Sequence, residues 1–138
     1  MSPTHRNALL LRLAEHPLLE PLYTADKIWW MHAPDSCPEP VIILRLISYQ
    51  HHTTHAGRTG LCDSRVQCDV YATTAAQAHE LGHALVGQIG PPFSGTHHGA
   101  DFTYSLLDEG LTEEREEGSG LYLARCDLML GTREPAHP

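Results

Sequence analysis

Residues 65–89 read RVQCDVYATTAAQAHELGHALVGQI, and the way this stretch changes period decides the fold. Its first part alternates, with Val66, Cys68, Val70 and Ala72 on one side and Arg65, Gln67, Asp69 and Tyr71 on the other, which is the pattern of a strand with one buried face. After Thr73 and Thr74, a residue type that caps helix N-termini, the spacing becomes helical. Ala75, Ala78, Leu81, Gly82, Leu85, Val86 and Ile89 then form a single stripe. Gly90-Pro91-Pro92 stops the helix, because proline has no backbone donor and disfavours helix in the residue before it.

Working outward toward the N-terminus, residues 51–60 (HHTTHAGRTG) show no periodicity and read as a hairpin loop. Before them, residues 41–49 (VIILRLISY) are a nearly continuous apolar, partly β-branched run, as expected of a strand near the centre of a sheet. Residues 33–40 form a turn-rich loop, and residues 27–32 a short strand with Ile28 and Trp30 on one side. Residues 16–25 are a connector with two prolines. Ser2-Pro3-Thr4 opens a capped helix of about three turns that ends before Pro17.

Toward the C-terminus, residues 93–100 form a loop rich in glycine and histidine, and residues 101–107 alternate as a strand with Phe102, Tyr104 and Leu106 on one side. An acidic loop over 108–120 leads to a last strand over 121–130. There Tyr122, Ala124, Cys126, Leu128 and Leu130 make the buried side, with Arg125 and Asp127 opposite. If this strand neighbours the one over 65–72, Asp69 and Arg125 pair across the ladder. Residues 131–138 are expected to fray. The pattern as a whole predicts one α+β domain over 1–138, with two helices packed on a mainly antiparallel β-sheet.

Composition narrows the function classes. With a net charge of −8 and no basic run, the 138-residue chain does not suit a nucleic-acid groove, whose affinity comes from clustered Lys and Arg. It has no apolar run of 18 residues and no signal-peptide pattern at its N-terminus, which points to synthesis in the cytoplasm with no membrane partner. The four cysteines, Cys37, Cys62, Cys68 and Cys126, include no C-x-x-C pair and are expected to be reduced.

The helix also contains His79-Glu80-Leu81-Gly82-His83, a literal match to the His-Glu-x-x-His pattern of zinc peptidases. Two histidines four residues apart share a helix face and can reach one Zn²⁺, while the Glu beside the first can act as general base on metal-bound water. Zinc-dependent metallopeptidase is therefore the alternative function. Against it, the positions that would carry the usual glycine and third histidine hold Val86 and Ile89. The other acidic and histidine residues, Glu109, Glu113, His97 and His98, do not lie on a second helix of the kind that carries a glutamate ligand. His79 and His83 also fall at the border of the apolar stripe, as on an ordinary surface helix. The spacing thus predicts no catalytic residue, no cofactor and no stoichiometric metal.

The N-terminal helix, HPLLEPLYTADKIWW, PVIILRLIS, RVQCDVYATTAAQAHELGHAL and the closing LYLARCDLML together resemble the tail completion, or tail terminator, family of long-tailed phages and related particles. The most telling piece is 65–85, where members carry an R-V-Q-x-D-V-x-A-x-T strand running into an Ala-rich helix. The resemblance spans essentially the full length. It implies a structural virion protein that forms a ring, usually a hexamer, on the head-proximal end of the tail tube at the head–tail junction. Its partners would be other copies of itself, the tail tube protein and the head connector or stopper protein, with DNA passing through the ring without specific binding. In that setting the long loops become contacts, and Arg58, Phe93, Glu113, Glu114, Glu116 and Glu117 are the candidate interface residues.

Overall fold

The computed structural model describes residues 1–134, apart from the side chains of Arg58 and Glu109. The chain runs α1 (Pro3–Leu13), α2 (Glu20–Thr24), β1 (Ile28–Trp30), β2 (Val41–Thr54), β3 (Gly57–Ala72), α3 (Ala75–Ile89), β4 (Gly95–His97), β5 (Ala100–Arg115) and β6 (Tyr122–Arg133). The strands form one sheet in the order β1-β2-β3-β6-β5-β4. Every neighbouring pair is antiparallel except β1 and β2, which are parallel.

This corrects the expected architecture. The molecule is mostly β, 47% strand and 23% helix, with a sheet curled into a half-barrel and three short helices, not two helices on a sheet. The difference comes from segments read as loops. Residues 51–60 continue β2 and β3 to a tight turn, and most of 108–120 continues β5. The first of these ladders extends past the core, and the second brings only Leu111 to it, so no apolar alternation marks either. β3 and β5 each reach 16 residues, roughly 50 Å of strand, long enough for the natural twist to curl the sheet.

Other boundaries also move. β2 is the second strand from the edge, not central, and the connector over 16–25 contains α2. The loop over 93–100 contains β4, and Gly131, Thr132 and Arg133 belong to β6 instead of fraying. Residues 135–138 lie outside the described residues. A β-bulge between Phe102 and Tyr104 reverses the alternation expected for β5. Phe102 points inward, but Tyr104 and Leu106 turn out to solvent and Ser105 turns in.

The two helix starts follow the sequence. The Ser2 side chain accepts from His5 N at the head of α1, and the Thr74 side chain accepts from Gln77 N at the head of α3. Leu9 and Leu13 of α1 and Leu81, Leu85 and Ile89 of α3 bury themselves on one face of the sheet, against Ile42, Leu44, Val66, Val70, Ala124, Leu128 and Leu130. Burial of each large side chain contributes about 1.5–3 kcal/mol. Cys68 and Cys126 sit directly opposite each other in this layer as buried free thiols. Gly82 sets how closely α3 seats: a Cβ there would lie 2.8 Å from the Cβ of Ala124 and 3.1 Å from Leu111.

Candidate functional site

The seat of α3 determines where its histidines stand. Ala124, the residue beneath Gly82, is the register partner of Glu113 on β5. Close packing of helix on sheet therefore carries Glu113 to the side of α3, one turn back from Gly82, where His79 Nδ1 and Glu113 Oε1 are 2.7 Å apart. The rings of His79 and His83 are 4.2 Å apart, and the ligand atoms of His79, His83 and Glu113 all lie within 4.8 Å of one another. Spacing along the sequence supplies no third candidate, but the fold places the Glu113 carboxylate beside the two histidines, because the strand that continues β5 through 108–115 runs beside the helix. Glu80 is exposed on the same helix. A shallow depression of about 220 Å³, lined by Ala75, Ala78, Glu113, Tyr122 and Leu123 among others, lies next to this group.

The second region is the face of the sheet that α1 and α3 leave uncovered. Asp69 and Arg125 are register partners, as the alternation predicts, and Arg125 Nε donates to Asp69 Oδ1 at 2.7 Å. Arg45 and Gln67 donate to Asp69 Oδ2, so a carboxylate with 0% exposure has two cations and an amide around it. Arg65 bridges Asp127 and Asp108 in the same manner. Further along, the Tyr104 hydroxyl donates to Asp63 Oδ1 at 2.7 Å, and Asp63 Oδ2 meets His52 Nε2. Burial opposes ionisation of Asp63, but the Tyr104 and His52 contacts outweigh it and lower its pKa. Burial and the Asp63 contact together push Tyr104 up to about 12. Tyr104 reaches across β6 because position 131 is glycine: a Cβ there would lie within 2.3 Å of the Tyr104 ring.

Exposed apolar side chains stand among these polar ones. Ile47, left unpaired at the bulge between Leu46 and Ser48, and Leu106, placed outward by the bulge in β5, are each about half exposed at 51% and 53%. Met129 is the register partner of Leu106, and Arg65 on β3 stands between Met129 and the level of Ile47. The sequence signal for this surface is an apolar residue at a polar-parity position, visible for Met129 and for Ile47, two residues after Arg45, but hidden by a bulge for Leu106.

A third polar group is buried near the start of α1. Tyr49 donates to Glu134 Oε2 at 2.6 Å, Thr132 donates to the same oxygen, and Ser2 N donates to Oε1. Burial alone would raise the Glu134 carboxyl, but hydrogen bonds from Tyr49 and Cys62 hold it down to about 2. Burial likewise pushes the Cys62 thiol up, which makes it a poor nucleophile although His51 Nδ1 is 3.4 Å away. A groove of about 660 Å³ lined by Pro3, Tyr49, His51, Asp101 and Arg133 adjoins this cluster. Nothing in the sequence pattern flags Glu134.

The residues singled out as contacts are dispersed. Phe93 is removed from the set: it is buried, its ring packed edge-on to Phe102 with the Arg12 guanidinium 3.9 Å above it. Glu113 and Glu114 are exposed on β5, and Glu117 is exposed in the turn after it. Glu116 is half-buried and accepts from Ser119 Oγ. Arg58 belongs to β3 near the turn with β2; its side chain lies outside the described residues. Of the loop histidines, His52 is committed to Asp63 and His98 to Glu15.

No protein-family model matches the sequence, and neither does any curated protein. Among solved structures, one chain of the virion of a native gene transfer agent particle superposes with a TM-score of 0.64, over 96% of this chain and 99% of that one, at 11% identity. The likeness is one of fold. A second solved chain aligns over 94% of this chain and 96% of that one at 13% identity, but its TM-score of 0.49 is too low to carry weight.

Proposed function

We propose that this chain is a structural component of a phage or phage-like particle, assembling with copies of itself as a ring, of six subunits, that caps the head-proximal end of the tail tube and joins it to the head connector, with DNA passing through. The observation that carries this reading is the nearly complete two-way overlap in fold with a chain of a gene transfer agent virion.

Surface chemistry supports assembly. Met129 and Leu106, register partners, and Ile47 on the far side of Arg65 put exposed apolar side chains on an otherwise charged sheet face, a mixed surface of the kind found at protein contacts. β6 accompanies β3 only as far as Leu61, so the β2–β3 turn projects beyond the six-stranded sheet as a second surface. A cyclic ring needs two different surfaces on each subunit, and these are two. The net charge of −8 suits a channel that DNA traverses without adhering. The metallopeptidase alternative gains a candidate third ligand in Glu113, yet the three side chains, two on α3 and one on β5, stand exposed beside a depression of about 220 Å³. That is smaller than the roughly 300–1,000 Å³ of an ordinary ligand cleft.

The test is to replace residues 53–59 by a short turn and to express this variant alongside the wild type in particle-producing cells. The expected outcome is a soluble monomer with wild-type circular dichroism that no longer joins tails to heads under the electron microscope. Unchanged particle assembly, or wild-type protein found only as a free monomer without any particle association, would overturn the reading.

A further inference from the structure

We propose that His79, His83 and Glu113 form a binding site for a divalent ion of the Zn²⁺ class, with the fourth coordination position open to solvent. The inference is independent of the ring reading and rests on the geometry of α3 against β5.

Two imidazoles and one carboxylate are the donors that Zn²⁺ accepts in three-ligand sites, at about 2.0–2.2 Å from each atom. A tetrahedral ion holds such atoms roughly 3.3 Å apart, a separation that follows from those bond lengths. Here the three ligand atoms already lie within 4.8 Å of one another, and the His79–Glu113 pair is at 2.7 Å. Opening that one contact by about half an ångström and closing the others would need only side-chain rotation, because all three residues are exposed and none is tied into the core. The backbone positions are fixed from beneath. His79 and His83 flank the turn of α3 that Gly82 seats on Ala124, and Glu113 is the register partner of Ala124. The site is thus held by two elements, and a bound ion would join α3 to β5.

The surroundings favour a cation. Glu80 is exposed beside His79 on the same helix, and the chain carries a net charge of −8. Oxygen-only ions are disfavoured, since two of the three donors are imidazole nitrogens. Among the described residues, this is the one group of at least three histidine, cysteine or acidic side chains with its ligand atoms gathered closely enough.

The experiment titrates Zn²⁺ into the full-length, untagged, chelator-stripped chain by calorimetry, with metal content measured after desalting and thermal unfolding followed in parallel. The expected result is one Zn²⁺ per chain and a higher Tm in the presence of the ion. Both effects should be lost together in His83→Ala and in Glu113→Gln, each weakening binding by more than the 10- to 100-fold that removal of an outer-shell partner costs. His55→Ala and His98→Ala, which alter exposed histidines elsewhere, should bind as the wild type does. Circular dichroism of the apo variants checks that their folds are intact. Absence of uptake at about 0.1 mM free Zn²⁺, a Kd scale of roughly −5.5 kcal/mol, overturns the proposal. So does uptake that survives in both His83→Ala and Glu113→Gln.

Discussion

The two faces of the sheet are built from the same strands, one residue out of step, yet they hold together by different means. On the covered face, Val66, Val70, Ala124, Leu128 and Leu130 meet the leucines of α1 and α3, and stability comes from apolar area removed from water. On the open face, Asp69, Arg45 and Arg125, then Arg65, Asp108 and Asp127, then Tyr104, Asp63 and His52 form three polar groups across the strands. Asp69 and its neighbour Val70 both have 0% exposure, so burial alone does not distinguish the faces. The difference lies in what is lost on mutation: a cavity on one side, an unpaired charge on the other.

The largest effect is expected on the covered face. Leu128→Ala should lower the unfolding free energy by about 2–5 kcal/mol, the usual range for a buried leucine, as measured by urea denaturation. Asp69→Asn keeps the shape but turns an acceptor of charged hydrogen bonds into a partial donor facing two arginines, and should cost about 2–3 kcal/mol. If Asp69→Asn proved more costly than Leu128→Ala, the open face would be the principal support of the fold and the contrast drawn above would be reversed. The smallest effect concerns the group outside both layers. Glu134→Gln should cost about 1–2 kcal/mol at pH 7 and sharpen the comparison through its pH dependence.

The sign for Glu134 follows from its position at about 2, below the ordinary value of 4.5. A depressed carboxyl stabilises the fold above its unfolded pKa, and that contribution drains away as pH falls from about 4.5 to about 2. The wild type should therefore lose stability in this window while Glu134→Gln loses less, so the two denaturation midpoints converge toward pH 2. Parallel curves through the window would show that Glu134 is not held as its hydrogen bonds indicate.

Sequence patterning located whatever was close to the core and periodic. The caps at Ser2 and Thr74, the inward rows of β3 and β6, and the Asp69–Arg125 pair are all legible because each depends on spacing of 2 or 3.6 within one segment. The helix–sheet proportions are not legible, because 51–60 is a pair of strand ends with polar side chains on both faces, and in 108–115 a single apolar residue, Leu111, reaches the core and sets up no alternation. Simple alternation puts Tyr104 and Leu106 on the wrong side, since a bulge shifts the register by one residue and leaves no mark in composition. In the metal-ligand group, the two histidines were visible as a motif, but Glu113 belongs to it only through the contact of Gly82 with Ala124, a relation between segments 42 residues apart in sequence, from position 82 to position 124.

β1 accompanies β2 only from Ile42 to Leu44, and among the described residues the rest of that outer edge, through Thr54, has no strand beside it. Such an edge is a row of unsatisfied amides and carbonyls that any extended chain can join. The bulges after Leu46 and His51 break its flatness, which slows indiscriminate recruitment without abolishing it. Stored alone at high concentration, the protein should therefore have a shelf life set by this edge rather than by its melting point, and loss of soluble material should rise more steeply than in proportion to concentration.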